Sequence, residues 1–109
     1  MLRSLRRNGI RTFALTNFSA ETYPLAVARF PFLKEFDGTV VSGEEGVVKP
    51  DPEIYERLLR RYSISAARAV FIDDRRENVE AARRLGFHGI HFVEPRAARA
   101  ELQALKLPV

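Results

Sequence analysis

Apolar positions along this chain come in two rhythms. Short, nearly continuous apolar runs stand at 12–16, 40–42, 70–74 and 88–93, and such runs are what a strand buried on both faces presents. Between them apolar residues recur every three or four positions, the rhythm of a helix with one buried face. A short helix is predicted over 2–7 and ends at Asn8-Gly9, glycine being favoured just past a helix. Ser19 is placed to cap a helix over 20–29, which Phe30-Pro31-Phe32-Leu33 breaks before Phe36-Asp37-Gly38 turns the chain. A loop over 43–50 follows the brief second strand.

The next helix has the plainest start signal. Asp51 can cap it, Pro52 suits a first position that needs no N–H, and Glu53 suits the positive end of the helix dipole. Ile54, Tyr55, Leu58, Leu59 and Tyr62 then form one apolar stripe, which is expected to be core. After the third strand, the helix over 75–85 carries Val79, Ala82 and Leu85 and closes at Gly86; the last helix is expected over 95–105. Alternating strands and helices with short links predict an α/β fold, a parallel sheet flanked by helices. Right-handed crossovers would bring the C-terminal ends of the strands to one edge.

Composition narrows the class. A chain of 109 residues with 46% hydrophobic and 29% charged content suits one small globular domain with a modest core. No apolar run approaches the roughly 18 residues of a membrane span, and no long apolar segment follows the basic start, so neither a membrane partner nor a secretory leader is expected. The chain has no cysteine, which removes disulfides and thiol catalysis, and cytoplasm is the default compartment. The net charge of +4 raises nucleic acid as a partner. The arginines, however, lie in separate doublets, Arg6-Arg7, Arg60-Arg61, Arg75-Arg76 and Arg83-Arg84, without a basic run or interleaved aromatics, so no nucleic-acid partner is expected.

The chemistry lies at the strand ends. Thr16-Asn17 follows the first strand, Ser42 the second, Lys49 stands in the next loop, and Asp73-Asp74 ends the third. Strand C-terminal ends are where open α/β sheets bind ligands. A hydroxyl and an amide can donate to phosphoryl or carboxylate oxygens, and a lysine can neutralise them. Asp73, Asp74 and Asn78 offer the hard oxygens that Mg²⁺ takes. Each has a plain alternative: Thr16 finishes a strand, Asn17 makes a turn, Lys49 is a solvated charge, and the aspartate pair caps the next helix. His88 and His91, three apart in a strand, make a poor metal pair and are expected to be structural or at the surface. Phe30, Phe32 and Phe36 are expected to fill core or an interface beneath a loop, with some exposed if nothing covers them.

Ala14-Leu15-Thr16-Asn17, Val48-Lys49-Pro50-Asp51-Pro52 and Phe71-Ile72-Asp73-Asp74 with Asn78 resemble the second, third and fourth motifs of the haloacid dehalogenase-like (HAD) hydrolase superfamily. The similarity runs through the connecting helices and is nearest to the branch of small phosphatases and the phosphatase domain of soluble epoxide hydrolase. It implies a Rossmann-like core and a Mg²⁺-dependent phosphatase acting on a small phosphate ester through a phosphoaspartate. Thr16 would bond the phosphoryl group, Asn17 would help hold substrate or that group, and Lys49 would offset charge on nucleophile and phosphoryl oxygens. Asp74 would ligate Mg²⁺, Asp73 would stand behind it, and Asn78 would support both. The paired aspartates favour a phosphatase over a 2-haloacid dehalogenase.

The chain departs from this family at its first motif, a hydrophobic strand ending in Asp-x-Asp that supplies nucleophile and general acid/base. Its aspartates are Asp37, Asp51, Asp73 and Asp74, none in that arrangement. The 109 residues resemble the C-terminal part of one core domain without its central strand and without a cap domain, with Met1 internal to a longer frame or heading a truncated one. The strands over 12–16 and 69–73 would then pair directly, receive a strand from another chain, or remain marginal. Self-association or complementation by an N-terminal half follows as the partner expectation, and the chain alone is expected to bind Mg²⁺ weakly and to lack turnover. The other function it admits is a non-catalytic phosphate-binding or interaction remnant.

Overall fold

A computed structural model describes residues 2–108, so Met1 and the expectation attached to it lie outside the described residues. The elements in order are α1 (Leu2–Arg7), β1 (Phe13–Thr16), α2 (Thr22–Arg29), a 3₁₀ turn (Pro31–Glu35), β2 (Gly38–Val41), α3 (Ser42–Glu45), α4 (Pro52–Arg61), a second 3₁₀ turn (Ala66–Arg68), β3 (Val70–Asp73), α5 (Arg76–Arg84), β4 (His88–His91) and α6 (Pro95–Ala104). The fold is α/β with parallel strands flanked by helices, as the alternation predicts. The strands form two two-stranded parallel sheets, β1 with β2 and β3 with β4. The chain divides into two compact units, 13–64 and the remainder. Among the described residues no helix is long and apolar enough to cross a membrane.

In the 13–64 unit, Phe13 pairs with Gly38 and Thr16 with Val41, so both strands end at the same level. Ala14, Val40 and Val41 are buried there with Ile54, Tyr55 and Leu58 of α4, which confirms the predicted stripe as core. Leu59 and Tyr62 complete it half-buried; the Tyr62 ring lies 4.8 Å from Phe13, and its hydroxyl accepts from Thr39 N–H at 3.2 Å. The start of α4 is as the sequence predicts, with Asp51 Oδ1 accepting from Glu53 N–H at 2.9 Å and Pro52 in the first turn. α2 begins two residues later than expected. Ser19 still serves its end, its Oγ accepting from Thr22 N–H at 3.0 Å. Phe30 and Phe32 are 47% and 51% exposed, so these two rings are not core; they sit edge to face at 6.2 Å, while Phe36 is half-buried.

In the second unit, Val70 pairs with His88 and Asp73 with His91. Phe71 and Phe87 meet edge to face at 6.0 Å, and Val79, Ala81, Ala82, Ile90, Ala98 and Leu102 complete the core. Gly86 ends α5 at φ +101°, a conformation that costs a side-chain-bearing residue dearly. Glu94 caps α6 through its carboxylate, which accepts from Ala97 N–H at 2.6 Å.

Candidate functional site

The predicted residues fall into two groups, one in each unit. In the 13–64 unit, β1 and β2 run in register, so Thr16 closes one strand where Ser42 opens α3 just past the other. The Thr16 Oγ1 atom is buried and has no hydrogen-bond partner among the described residues. A buried hydroxyl left in that state costs about 1–3 kcal/mol, which an acceptor reaching it would recover.

Asn17 is committed to the main chain of Lys49. Its Oδ1 accepts from Lys49 N–H at 3.0 Å, and its Nδ2 donates to Lys49 O at 3.3 Å, joining residues 32 apart in sequence. The structure therefore brings Asn17 and Lys49 together, with the amide holding the lysine backbone from both sides. The peptide between Lys49 and Pro50 is cis.

The loop that carries Asn17 is itself fastened to the start of α3. Phe18 O accepts from Gly43 N–H at 3.0 Å and from the buried Ser42 hydroxyl at 3.2 Å. The backbones approach so closely that a Cβ on Gly43 would overlap the Ala20 nitrogen and the Ser19 main chain. Ser42 thus turns its hydroxyl to the loop main chain. The predicted loop over 43–50 starts instead as helix, and its far side is tied to α4. Arg57 donates to Glu45 O at 2.7 Å and Arg61 to Glu45 Oε1 at 2.8 Å. The Glu45 side chain is only 12% exposed, and the Arg61 hydrogen bond, aided by Arg57 and opposed by burial, holds its carboxyl below the ordinary glutamate range. Glu45 and Asp51 thus bracket the segment on which Lys49 sits.

In the second unit, Asp73 spends its carboxylate locally. Its Oδ1 accepts from Arg75 N–H at 2.9 Å, and its Oδ2 accepts from Asn78 Nδ2 at 3.2 Å. It turns the chain ahead of α5, whose N-cap position is Arg75, so the helix-cap alternative holds in modified form. Asn78, buried, is the donor of that second bond. Asp74, next along, is exposed. Its carbonyl lies 2.9 Å from the Nε2 of His91, a contact the sequence reading missed. The available signal was register: two parallel strands of equal length end with Asp73 beside His91.

Two adjacent carboxylates match the one or two that Mg²⁺ commonly takes from protein, the remaining positions going to water and phosphate oxygens. Among the described residues no three acidic or histidine groups converge as a closed cage would require. The donor chemistry of the pair fits such an ion, and of the two residues Asp74 is the exposed one.

A family model for haloacid dehalogenase-like hydrolases matches residues 1–86. The chain is 36% identical over 105 residues to the sesquiterpene phosphatase astK of Aspergillus oryzae, covering 96% of this chain and 54% of that protein. It is 39% identical over 105 residues to acyl-CoA dehydrogenase family member 10 of Mus musculus, covering 93% of this chain and 9% of the relative. Among solved structures, a predicted HAD-like family hydrolase from Porphyromonas gingivalis superposes with a TM-score of 0.82 at 28% identity, over 96% of this chain and 54% of that one. A HAD family enzyme from Bacteroides thetaiotaomicron, in complex with magnesium and inorganic phosphate, superposes with a TM-score of 0.73 at 25% identity, over 81% and 48%. The chain thus spans about half the length of the Aspergillus relative and a small part of the mouse one.

Proposed function

The chain belongs to the haloacid dehalogenase-like hydrolase family, and we propose that it is the part of a Mg²⁺-dependent phosphatase that binds and polarises the phosphoryl group of a small phosphate ester. The observation that carries this is the Asn17–Lys49 clamp, which fixes a cationic residue in the same unit as a buried, unpartnered Thr16 hydroxyl. A phosphatase among the relatives and a magnesium and phosphate complex among the structural neighbours support it.

In this reading Thr16 donates its hydroxyl to a phosphoryl oxygen, and Lys49 sets its ammonium against the charge that grows on the phosphoryl oxygens. Positioned charge of this kind is usually the largest contribution to such a reaction. Asn17 acts as a positioning residue, holding the Lys49 main chain. Asp74 would hold Mg²⁺, with Asp73 and Asn78 fixing the turn on which it stands. When bound, the ion would neutralise phosphoryl charge. The 109 residues contain no Asp-x-Asp, so the nucleophilic carboxylate would come from sequence outside them, with this chain as the C-terminal part of a core domain.

The test is hydrolysis of a generic phosphate ester with Mg²⁺, by this chain alone and by this chain mixed with a family segment that supplies the Asp-x-Asp strand. The expected result is turnover only in the mixture. Turnover by the purified chain alone would refute the assignment of the nucleophile. A folded but inactive mixture whose chain still binds inorganic phosphate through Lys49 would favour the phosphate-binding remnant.

A further inference from the structure

Two consecutive carbonyls leave the end of β3, and they are held by His91, the last residue of β4, and by Phe92 just past it. Asp73 O accepts from Phe92 N–H at 2.8 Å, and Asp74 O faces His91 Nε2 at 2.9 Å. A carbonyl can only accept, so Nε2 carries the proton and the ring donates. The Asp73 side chain closes the same turn from the other direction, through Arg75 N–H and Asn78. Residue 74 is therefore held on its main chain at both sides, while the residue as a whole is exposed.

We propose that His91 is a positioning residue for the Asp74 carboxylate, its Nε2–H locking the Asp74 peptide so that the carboxylate keeps one orientation toward a divalent cation. This rests on the reading of Asp74 as the ion-facing residue. Groups that orient a metal ligand from behind typically matter well beyond their distance from the ion. His91 suits this role because the parallel register places it beside Asp73, one residue short of the carbonyl it holds, and its ring bridges that step.

The experiment is Mn²⁺ binding to the full chain, followed by the electron paramagnetic resonance signal of free ion. It compares the parent chain with His91→Phe, which keeps a ring without the donor, with His91→Gln, which keeps an N–H donor, and with Asp74→Ala. Amide spectra establish that each variant is folded. The expected result is affinity roughly threefold to tenfold weaker in His91→Phe, the range one hydrogen bond supplies, largely restored in His91→Gln, and lost in Asp74→Ala. Long-range nitrogen–proton correlations should also find the His91 proton on Nε2. A folded His91→Phe that binds Mn²⁺ as the parent does, with Asp74→Ala defective, would overturn the role of His91 alone. Binding that is absent in the parent or indifferent to Asp74→Ala would overturn the reading of Asp74, and the inference with it.

Discussion

The two units solve one problem by different means. In 13–64, the residue that secures the loop, Asn17, reaches 32 positions along the chain, and the loop is further tied by Phe18 to Ser42 and Gly43. In the other unit, Asp73 secures its turn with partners two and five residues away. In both, one polar residue of an adjacent or clamped pair is spent on the scaffold, and the proposed function assigns chemistry to the other, Lys49 in the first unit and Asp74 in the second. The lesson is that a pair of polar residues in a motif need not be a pair of ligands.

The largest expected effect separates the spent residues from the working ones. Lys49→Ala should lower turnover of the complemented mixture by roughly 100- to 1,000-fold, the scale of removing a preorganised electrostatic group, at nearly unchanged stability. Equal losses in stability and turnover would make Lys49 another scaffold residue. Gly43→Ala should destabilise the 13–64 unit by about 1–3 kcal/mol, because its Cβ would meet Ala20 main chain. Urea unfolding measures this, and an unchanged midpoint would show that the Phe18 loop is not tightly seated.

Asn17→Ala removes two side chain to main chain bonds and should weaken phosphate binding by about tenfold. Faster hydrogen exchange at the Lys49 amide should accompany it. Weaker binding with unchanged exchange would return Asn17 to direct ligand contact and erase the contrast with Asp73.

The smallest effect concerns the bracket behind Lys49. The Glu45 carboxyl is held low in the folded chain, chiefly by Arg61, so its contribution to stability is present above the ordinary glutamate value and is lost as pH falls through the lowered one. Glu45→Gln should flatten that acid limb by a fraction of a unit in urea midpoint while costing little at acidic pH. A limb unchanged in the variant would assign the acid sensitivity elsewhere.

Much of the fold was legible because its signals are local. Asp51-Pro52 announced α4, the stripe from Ile54 to Leu58 announced the core it fills, and apolar runs located all four strands. The same local reading overextended α2, since Ser19 bonds the N–H of Thr22, the first residue of a helix whose N-cap position is Glu21, and it missed the helical turn of α3 inside an apparent loop. For Phe30 and Phe32 it admitted core, an interface beneath a loop, or exposure if nothing covers them, and of these the core placement is the one that fails. At the candidate site, residue types pointed to Thr16, Lys49 and the aspartate pair. How Lys49 and Asp74 are held depends on hydrogen bonds across 32 and 17 residues, which no window of sequence displays. His91 entered that way, through strand register.

The most direct test of the division of labour compares Asp73→Asn with Asp74→Asn in the complemented mixture, measuring Mg²⁺-dependent turnover and unfolding together. The account predicts that Asp74→Asn loses roughly a hundredfold or more in turnover with little change in stability, while Asp73→Asn stays within about tenfold of the parent and is the less stable chain. The reverse order, or equal losses of turnover from two equally stable variants, would contradict it.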